Sequence, residues 1–176
     1  MNIIITGASR GIGFELTRQF CSMKGNHIIA LAREIRTIQL LSEKLPVEKN
    51  ESILYPLTAD LNKKGFEKPI LEYVLDRFET IDILINNAGA LINKPFHQLT
   101  SDDFDYLFKV NTKAPFLIIQ TLLPLFNNPS HIINISSMGG LQGSTKFPGL
   151  SLYSASKGAL AILTECLVSC QLNNVC

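Results

Sequence analysis

Tyr153-Ser154-Ala155-Ser156-Lys157 sets a phenol and an ammonium four positions apart, and Ser136-Ser137 stands a short stretch earlier. On a helix, positions i and i+4 share one face, a turn from each other. A free tyrosine has a pKa of about 10 and is a poor acid or base at neutral pH. A fixed positive charge beside it favours the phenolate, and a tenfold gain in acidity corresponds to about 1.4 kcal/mol. A hydroxyl from Ser137 can hydrogen-bond a substrate oxygen at the same place. Together these groups form a proton-transfer device suited to a carbonyl or an alcohol. A Tyr-x-x-x-Lys pair is common on surface helices, so its weight depends on what the rest of the chain positions around it.

The first such element is at the N-terminus. Asn2-Ile-Ile-Ile-Thr6 reads as a strand buried on both faces, and Thr6-Gly7-Ala8-Ser9-Arg10-Gly11-Ile12-Gly13 follows at once. Phe14 to Met23 then carries helical periodicity. Strand, glycine turn and helix start is the arrangement that takes a phosphate, because backbone can approach the anion and free N–H groups at the helix N-terminus point at it. The spacing is G-x-x-x-G-x-G. Residues 27–32 make a second strand. Where an NAD-specific domain tends to place an acid for the ribose 2′-hydroxyl, this chain has Ala32 and Arg33. Arg33, helped by Arg10, suits a 2′-phosphate, so NADP(H) is expected over NAD(H); Glu34, one position on, is the competing acid.

Further along, 35–45 reads as a helix stopped by Pro46, Ser52–Leu57 as a third strand, and 64–79 as an amphipathic helix. Asp60, just past the third strand, can accept from an adenine amino group or cap the next helix. Ile81–Ile85 is a fourth buried strand ending in Asn86-Asn87-Ala88-Gly89, at the kind of strand edge where ligands collect. Thr100-Ser101-Asp102-Asp103 opens a long helix running to Phe126, with Pro115 as a kink. Asn111 falls inside it among apolar neighbours and needs partners. Capping the kink or holding a water beside the Tyr/Lys pair would each supply them. His131–Ser137 reads as a fifth strand with Ser137 at its C-terminal end, and a last helix runs from about Ser151 into the 170s. Strand and helix alternate throughout, the pattern of an α/β, three-layer, Rossmann-type doubly wound parallel sheet in a single domain over 1–176.

Composition narrows the function classes. The chain has 176 residues, 46% hydrophobic and 18% charged, which suits one globular domain with a core. A net charge of +1 gives no electrostatic case for nucleic acid or a membrane surface. Met1 leads straight into the first strand without a charged leader, and no apolar run reaches the ~18 residues that span a bilayer, so a cytoplasmic location is expected. Cys21, Cys166, Cys170 and Cys176 match no zinc spacing; Cys166 and Cys170 at i, i+4 read as small apolar helix residues, and no metal site is expected.

With these motifs in this order, the chain resembles the short-chain dehydrogenase/reductase family over essentially its whole length. Thr6–Gly13 resembles the family's cofactor loop, Asp60 its adenine contact, Asn86-Asn87-Ala88-Gly89 its sheet-stabilising motif, and Asn111, Ser137, Tyr153 and Lys157 its catalytic tetrad. The resemblance implies hydride transfer between NADP(H) and a carbonyl or alcohol. In that scheme Tyr153 is the acid/base, and Lys157 lowers its pKa and holds the nicotinamide ribose. Ser137 orients the substrate oxygen and Asn111 positions a relay water. It implies cofactor contacts at Gly7, Ser9, Arg10, Gly11, Ile12, Gly13, Arg33, Asp60, Leu61, Asn87, Ala88, Gly89, Tyr153 and Lys157. It also implies a homodimer or homotetramer built on the helices at about 101–127 and 151–172.

Two departures stand out. The gap from Ser137 to Tyr153 is a few residues longer than the family's common spacing, and residues around Ser144 to Phe147 would absorb the excess, which keeps Ser137 ahead of Ser136. The chain also stops at the end of its tyrosine helix, where the family adds the sheet's last strands and a substrate lid. An alternative reading is therefore a shortened nucleotide-binding or dimerisation module with little catalysis. Phe96, Leu141 and Phe147 suggest an apolar substrate pocket, without choosing the substrate.

Overall fold

The computed structural model describes residues 1–43 and 51–172, so the stop at Pro46 and the residues after Leu172, Cys176 included, lie outside it. Five strands form one sheet in the order β3-β2-β1-β4-β5, with β1 Asn2–Thr6, β2 His27–Ala32, β3 Ile53–Thr58, β4 Ile81–Asn86 and β5 Phe126–Asn134. β1 pairs in parallel with β2 and β4, and β2 with β3. β1 is central because Ile3, Ile4 and Ile5 have no polar side to show to water, and all three are fully buried. Burying each contributes about 2 kcal/mol. β3, which carries Pro56, lies at one edge, where a missing N–H breaks no ladder. Chain direction through the sheet reverses between β1 and β4, so their carboxyl ends, Thr6 and Asn86, flank a topological switch point.

Helices α1 Gly11–Ser22, α2 Arg36–Ser42 and α3 Glu67–Leu75 follow β1, β2 and β3. The α3 helix is shorter than the apolar periodicity of 64–79 predicts. Gly65 sits at φ +75°, which excludes the first turn from helical geometry, and Pro69 falls within the opening turns of what remains.

The long helix expected over 101–126 is not continuous. It divides into α4 Ser101–Phe108, a π turn Lys109–Lys113, α5 Ala114–Leu122 and a 3-10 turn Leu123–Leu125. Phe126 belongs to β5 instead. The Ala114 N–H reaches back to Lys109 O, the wider π step. Pro115 explains its place, since its ring has no N–H to give the Asn111 carbonyl that an α-helix would pair with it. β5 also begins and ends earlier than expected, so Ser136 and Ser137 lie beyond the strand. The last helix, α6, spans Ser151–Leu172.

By internal contacts the chain forms two compact units: Met1–Ala88 with Ile118–Ile133, and Gly89–Leu117 with the chain from Asn134 on. In the first, Asp82 ties strands together: its carboxylate accepts from Asn2 N–H at 2.7 Å and from Asn127 Nδ2 at 3.1 Å. The Asn2 bond, chiefly, holds the Asp82 carboxyl below the usual aspartate range. A depressed folded pKa means the unfolded chain binds the proton more readily. The contribution is therefore present above about pH 4, the unfolded aspartate value, and is lost as pH falls through the lower folded value. Asp82→Asn is expected to lower Tm at pH 7 and to flatten the acid limb of Tm against pH. An unchanged acid limb would remove Asp82 from the account.

Candidate active site

In the first unit, the three loop glycines are required for three different reasons. Gly7, at φ +68°, faces the backbone of Ala88, whose Cα a Cβ would approach to 2.8 Å. Gly13 is buried under Asn87, and a Cβ there would overlap Asn87 Nδ2 and Gly7 O. Gly11, at φ +56°, has nothing within 4 Å of a notional Cβ, so it keeps open space at the start of α1. Asn87 and Thr6 lock this loop. Asn87 Nδ2 donates to Thr6 O at 3.0 Å and Gly7 O at 3.1 Å, and Thr6 Oγ1 accepts from the N–H groups of Asn87 and Ala88. The N-cap of α1, Arg10, makes no side-chain cap, and no acid occupies the first turn. The helix thus opens with free N–H groups beside a cleared glycine, which fits a diphosphate.

Asp60 gives one carboxylate oxygen to Asn62 N–H at 3.0 Å, the turn-capping role. Arg33 is exposed and Glu34 accepts from Arg36 N–H at 2.9 Å, so the competing acid is engaged at the start of α2. Arg33 and Asp60 line one cavity of about 420 Å3 together with Lys63 and Lys64, two cations that spacing alone did not single out. Ser9 is half-buried and Ile12 exposed on the same loop, and Leu61 is buried behind Asp60.

The second unit holds the tetrad. Asn111 is fully buried in its π turn, and its carboxamide clamps the backbone of Ala90: Oδ1 accepts from Ala90 N–H at 2.7 Å and Nδ2 donates to Ala90 O at 2.9 Å. The other Nδ2 hydrogen goes to Ser156 Oγ at 2.9 Å, and Ser156 Oγ donates to Tyr153 O at 2.8 Å. Ser156 and Thr112, which bonds Ser156 O, are positioning residues that sequence reasoning missed. The signal available was a small polar residue packed between Tyr153 and Lys157. Lys157 is only 4% exposed and donates to Ile135 O at 2.6 Å; burial lowers its pKa. Gly89 faces both polar groups, with a notional Cβ 3.3 Å from Asn111 Oδ1 and 3.4 Å from Lys157 Nζ. Asn111 and Lys157 therefore converge on one point, on the half-buried Tyr153 face of α6.

The two serines separate by role. Ser136 Oγ donates to Lys157 O at 2.8 Å and is a tether to α6. Ser137 instead caps the 3-10 turn Met138–Gly140, its Oγ accepting from Gly139 N–H at 3.3 Å, which leaves its own proton to donate. Backbone packing presses this turn onto α6: a Cβ on Gly140 would lie 2.7 Å from Gly158 N, and one on Gly139 2.7 Å from Ser154 Oγ.

Phe96, Leu141 and Phe147 do share a cleft, of about 840 Å3. Its helical wall is Ser154, Ala155, Gly158 and Ile162, roughly a third of a turn round α6 from Tyr153 and Lys157. The cleft and the Tyr153–Lys157 pair thus occupy different faces of α6. Among the described residues no three His, Cys, Asp or Glu side chains gather as a metal site. Cys166 is exposed, and the side chain of Cys170 lies outside the described residues. No described helix is long and apolar enough to cross a membrane.

The short chain dehydrogenase family model matches residues 1–172. The chain belongs to the short-chain dehydrogenase/reductase family. It is 32% identical over 94% of its length to an uncharacterized oxidoreductase of Listeria innocua, covering 65% of that protein. It is 31% identical over 94% of its length to an NADP-dependent 3-hydroxy acid dehydrogenase of Schizosaccharomyces pombe, covering 63% of it. A metagenomic short-chain oxidoreductase solved in complex with NADP superposes with a TM-score of 0.83 at 28% identity, over 98% of this chain and 76% of that one. The chain spans under two thirds of the length of the curated relatives it matches first. The α/β fold expected from the sequence is thus that of an oxidoreductase family.

Proposed function

We propose that this short-chain dehydrogenase/reductase transfers hydride between NADP(H) and a small carbonyl or alcohol, with Tyr153 as acid/base. The observation that carries the reading is the convergence of Asn111 and Lys157 beside Gly89, on the helix face that presents Tyr153. When bound, the nicotinamide supplies or accepts the hydride. In the first unit, Gly7, Ser9, Arg10, Gly11, Ile12 and Gly13 would hold its diphosphate, Asp60 and Leu61 its adenine, Arg33 with Arg10 the 2′-phosphate, and Asn87 and Ala88 the edge beside it. In the second, Gly89 and Lys157 would meet the nicotinamide riboside.

The chain's own residues handle the proton. In reduction, Tyr153 Oη donates to the substrate oxygen while the Ser137 hydroxyl hydrogen-bonds that oxygen. In oxidation the same proton returns to Tyr153. The Lys157 ammonium, nearly dry, acts on the phenol through a low-dielectric surrounding, where a charge is felt more strongly than in water. Its bond to Ile135 O offsets part of the cost of burying it. Since the Asn111 carboxamide hydrogens are already committed, a relay water would take the Asn111 backbone carbonyl that Pro115 cannot pair. Exposed Phe104, Phe116 and Val168 on α4, α5 and α6 are proposed for pairing with a second copy.

Fluorescence titration with NADPH and NADH, followed by a carbonyl screen, tests the reading. NADPH is expected to bind at least about tenfold tighter than NADH, a difference of about 1.4 kcal/mol, and Arg33→Ala to erase that preference. Binding without turnover would instead favour a nucleotide-binding module. No binding by a folded chain would overturn the cofactor assignment.

A further inference from the structure

The loop between the 3-10 turn and α6, longer than the family's common spacing, is knit around a single side chain. Lys146 Nζ donates to Gly139 O at 2.7 Å, Leu141 O at 2.5 Å and Ser144 Oγ at 2.9 Å, so all three of its hydrogens are engaged. Ser144 Oγ lies within hydrogen-bond distance of both Met138 O, at 2.5 Å, and Leu141 O, at 2.8 Å. Its one proton serves these two acceptors while its oxygen accepts from Lys146. The residues that lengthen the loop thus close back on its opening turn.

That turn carries the candidate substrate-orienting serine. The peptide unit on one side of Gly139 gives its N–H to Ser137 Oγ, and the carbonyl on the other side is held by Lys146. Gly140 abuts the backbone of Gly158, so the turn cannot shift toward α6 without overlap. Lys146 restrains it through the carbonyls of Gly139 and Leu141. The Ser137 hydroxyl oxygen accepts from the Gly139 N–H, which leaves its own proton to donate. We propose that Lys146 is a positioning residue for Ser137, holding the Met138–Gly140 turn so that the serine hydroxyl is presented as a donor. The catalytic consequence rests on the function proposed above; the loop geometry does not.

Amide exchange of Gly139 in the 15N-labelled chain reads the geometry without turnover. Lys146→Met is expected to speed Gly139 exchange about tenfold, and Lys146→Arg, which keeps several donors, to restore it to within about threefold of wild type. Ser144→Ala, which removes the second knot while leaving the ammonium, is expected to give an intermediate rise. Where the chain turns over, Lys146→Met is expected to lower kcat about tenfold with KM within about twofold, since small misplacement of an orienting group acts on the transition state. Gly139 exchange unchanged in Lys146→Met would overturn the proposal, and faster exchange with unchanged kcat would overturn its catalytic part. A folded wild type without turnover would overturn the proposed reaction, and Gly139 exchange would still decide the role of Lys146.

Discussion

Tyr153→Phe is expected to lower kcat by about three orders of magnitude, about 4 kcal/mol of barrier, while leaving NADPH affinity within about threefold. The substitution removes one oxygen and keeps the ring. Tyr153 is half-buried, and the bond from Ser156 Oγ is to its backbone carbonyl, so the turn of α6 keeps its tether. Lys157 keeps Ile135 O. Stability should therefore stay within about 0.5 kcal/mol, as for a substitution that disturbs no packing. What disappears is the acid. Steady-state kinetics on the best carbonyl from the screen, with a thermal melt of each chain, gives the readout. A kcat within a few-fold of wild type would move the acid elsewhere and leave Tyr153 and Lys157 as a structural pair.

The second large effect falls on the glycine loop and separates two residues that a motif treats alike. Gly13→Ala is expected to destabilise the chain by about 2–3 kcal/mol, because the new methyl meets groups that cannot step aside. Asn87 Nδ2 is pinned by Thr6 O and Gly7 O, and Gly7 O is backbone. Either the Asn87 amide surrenders both bonds, each worth about 1 kcal/mol net, or the first turn of α1 moves. A thermal melt should show Tm lowered by roughly 4–12 °C. Gly11→Ala meets no atom within 4 Å, and its φ of +56° costs a side chain only about 1–2 kcal/mol. Its expected loss is in dinucleotide binding, by about tenfold or more, because the methyl fills the space the loop keeps open. If Gly11→Ala binds NADPH as wild type does, the cradle lies elsewhere. If Gly13→Ala melts as wild type does, the contact with Asn87 is not tight in solution.

Self-contained local signals were readable from the chain alone. The apolar run Ile3–Ile5 marks a strand buried on both faces, the i, i+4 spacing puts Tyr153 and Lys157 on one side of a helix, and the alternation of strand and helix leads to a parallel sheet. Each is set by covalent spacing and by side chains that exclude water, so neighbours in sequence suffice to state it. The glycine loop was legible as a phosphate turn, yet its reasons were not: two of its three glycines answer to Asn87 and Ala88, some eighty positions on. Ser136 and Ser137 are alike in type and spacing favoured Ser137, but their separate bonds, Ser136 to Lys157 O and Gly139 N–H to Ser137 Oγ, come only from the tertiary structure. Pro115 signalled a break in the long helix, but the break is a π turn placed before it, with Asn111 turned onto Ala90 and Ser156. Lys146 gave no signal at all, since a lone lysine in a loop does not show the three acceptors it bonds. Spacing along the chain thus determined which groups are present and which face they share. Tertiary packing decided which of them have hydrogens left to give, because that depends on partners brought from distant segments into contact at hydrogen-bond distance.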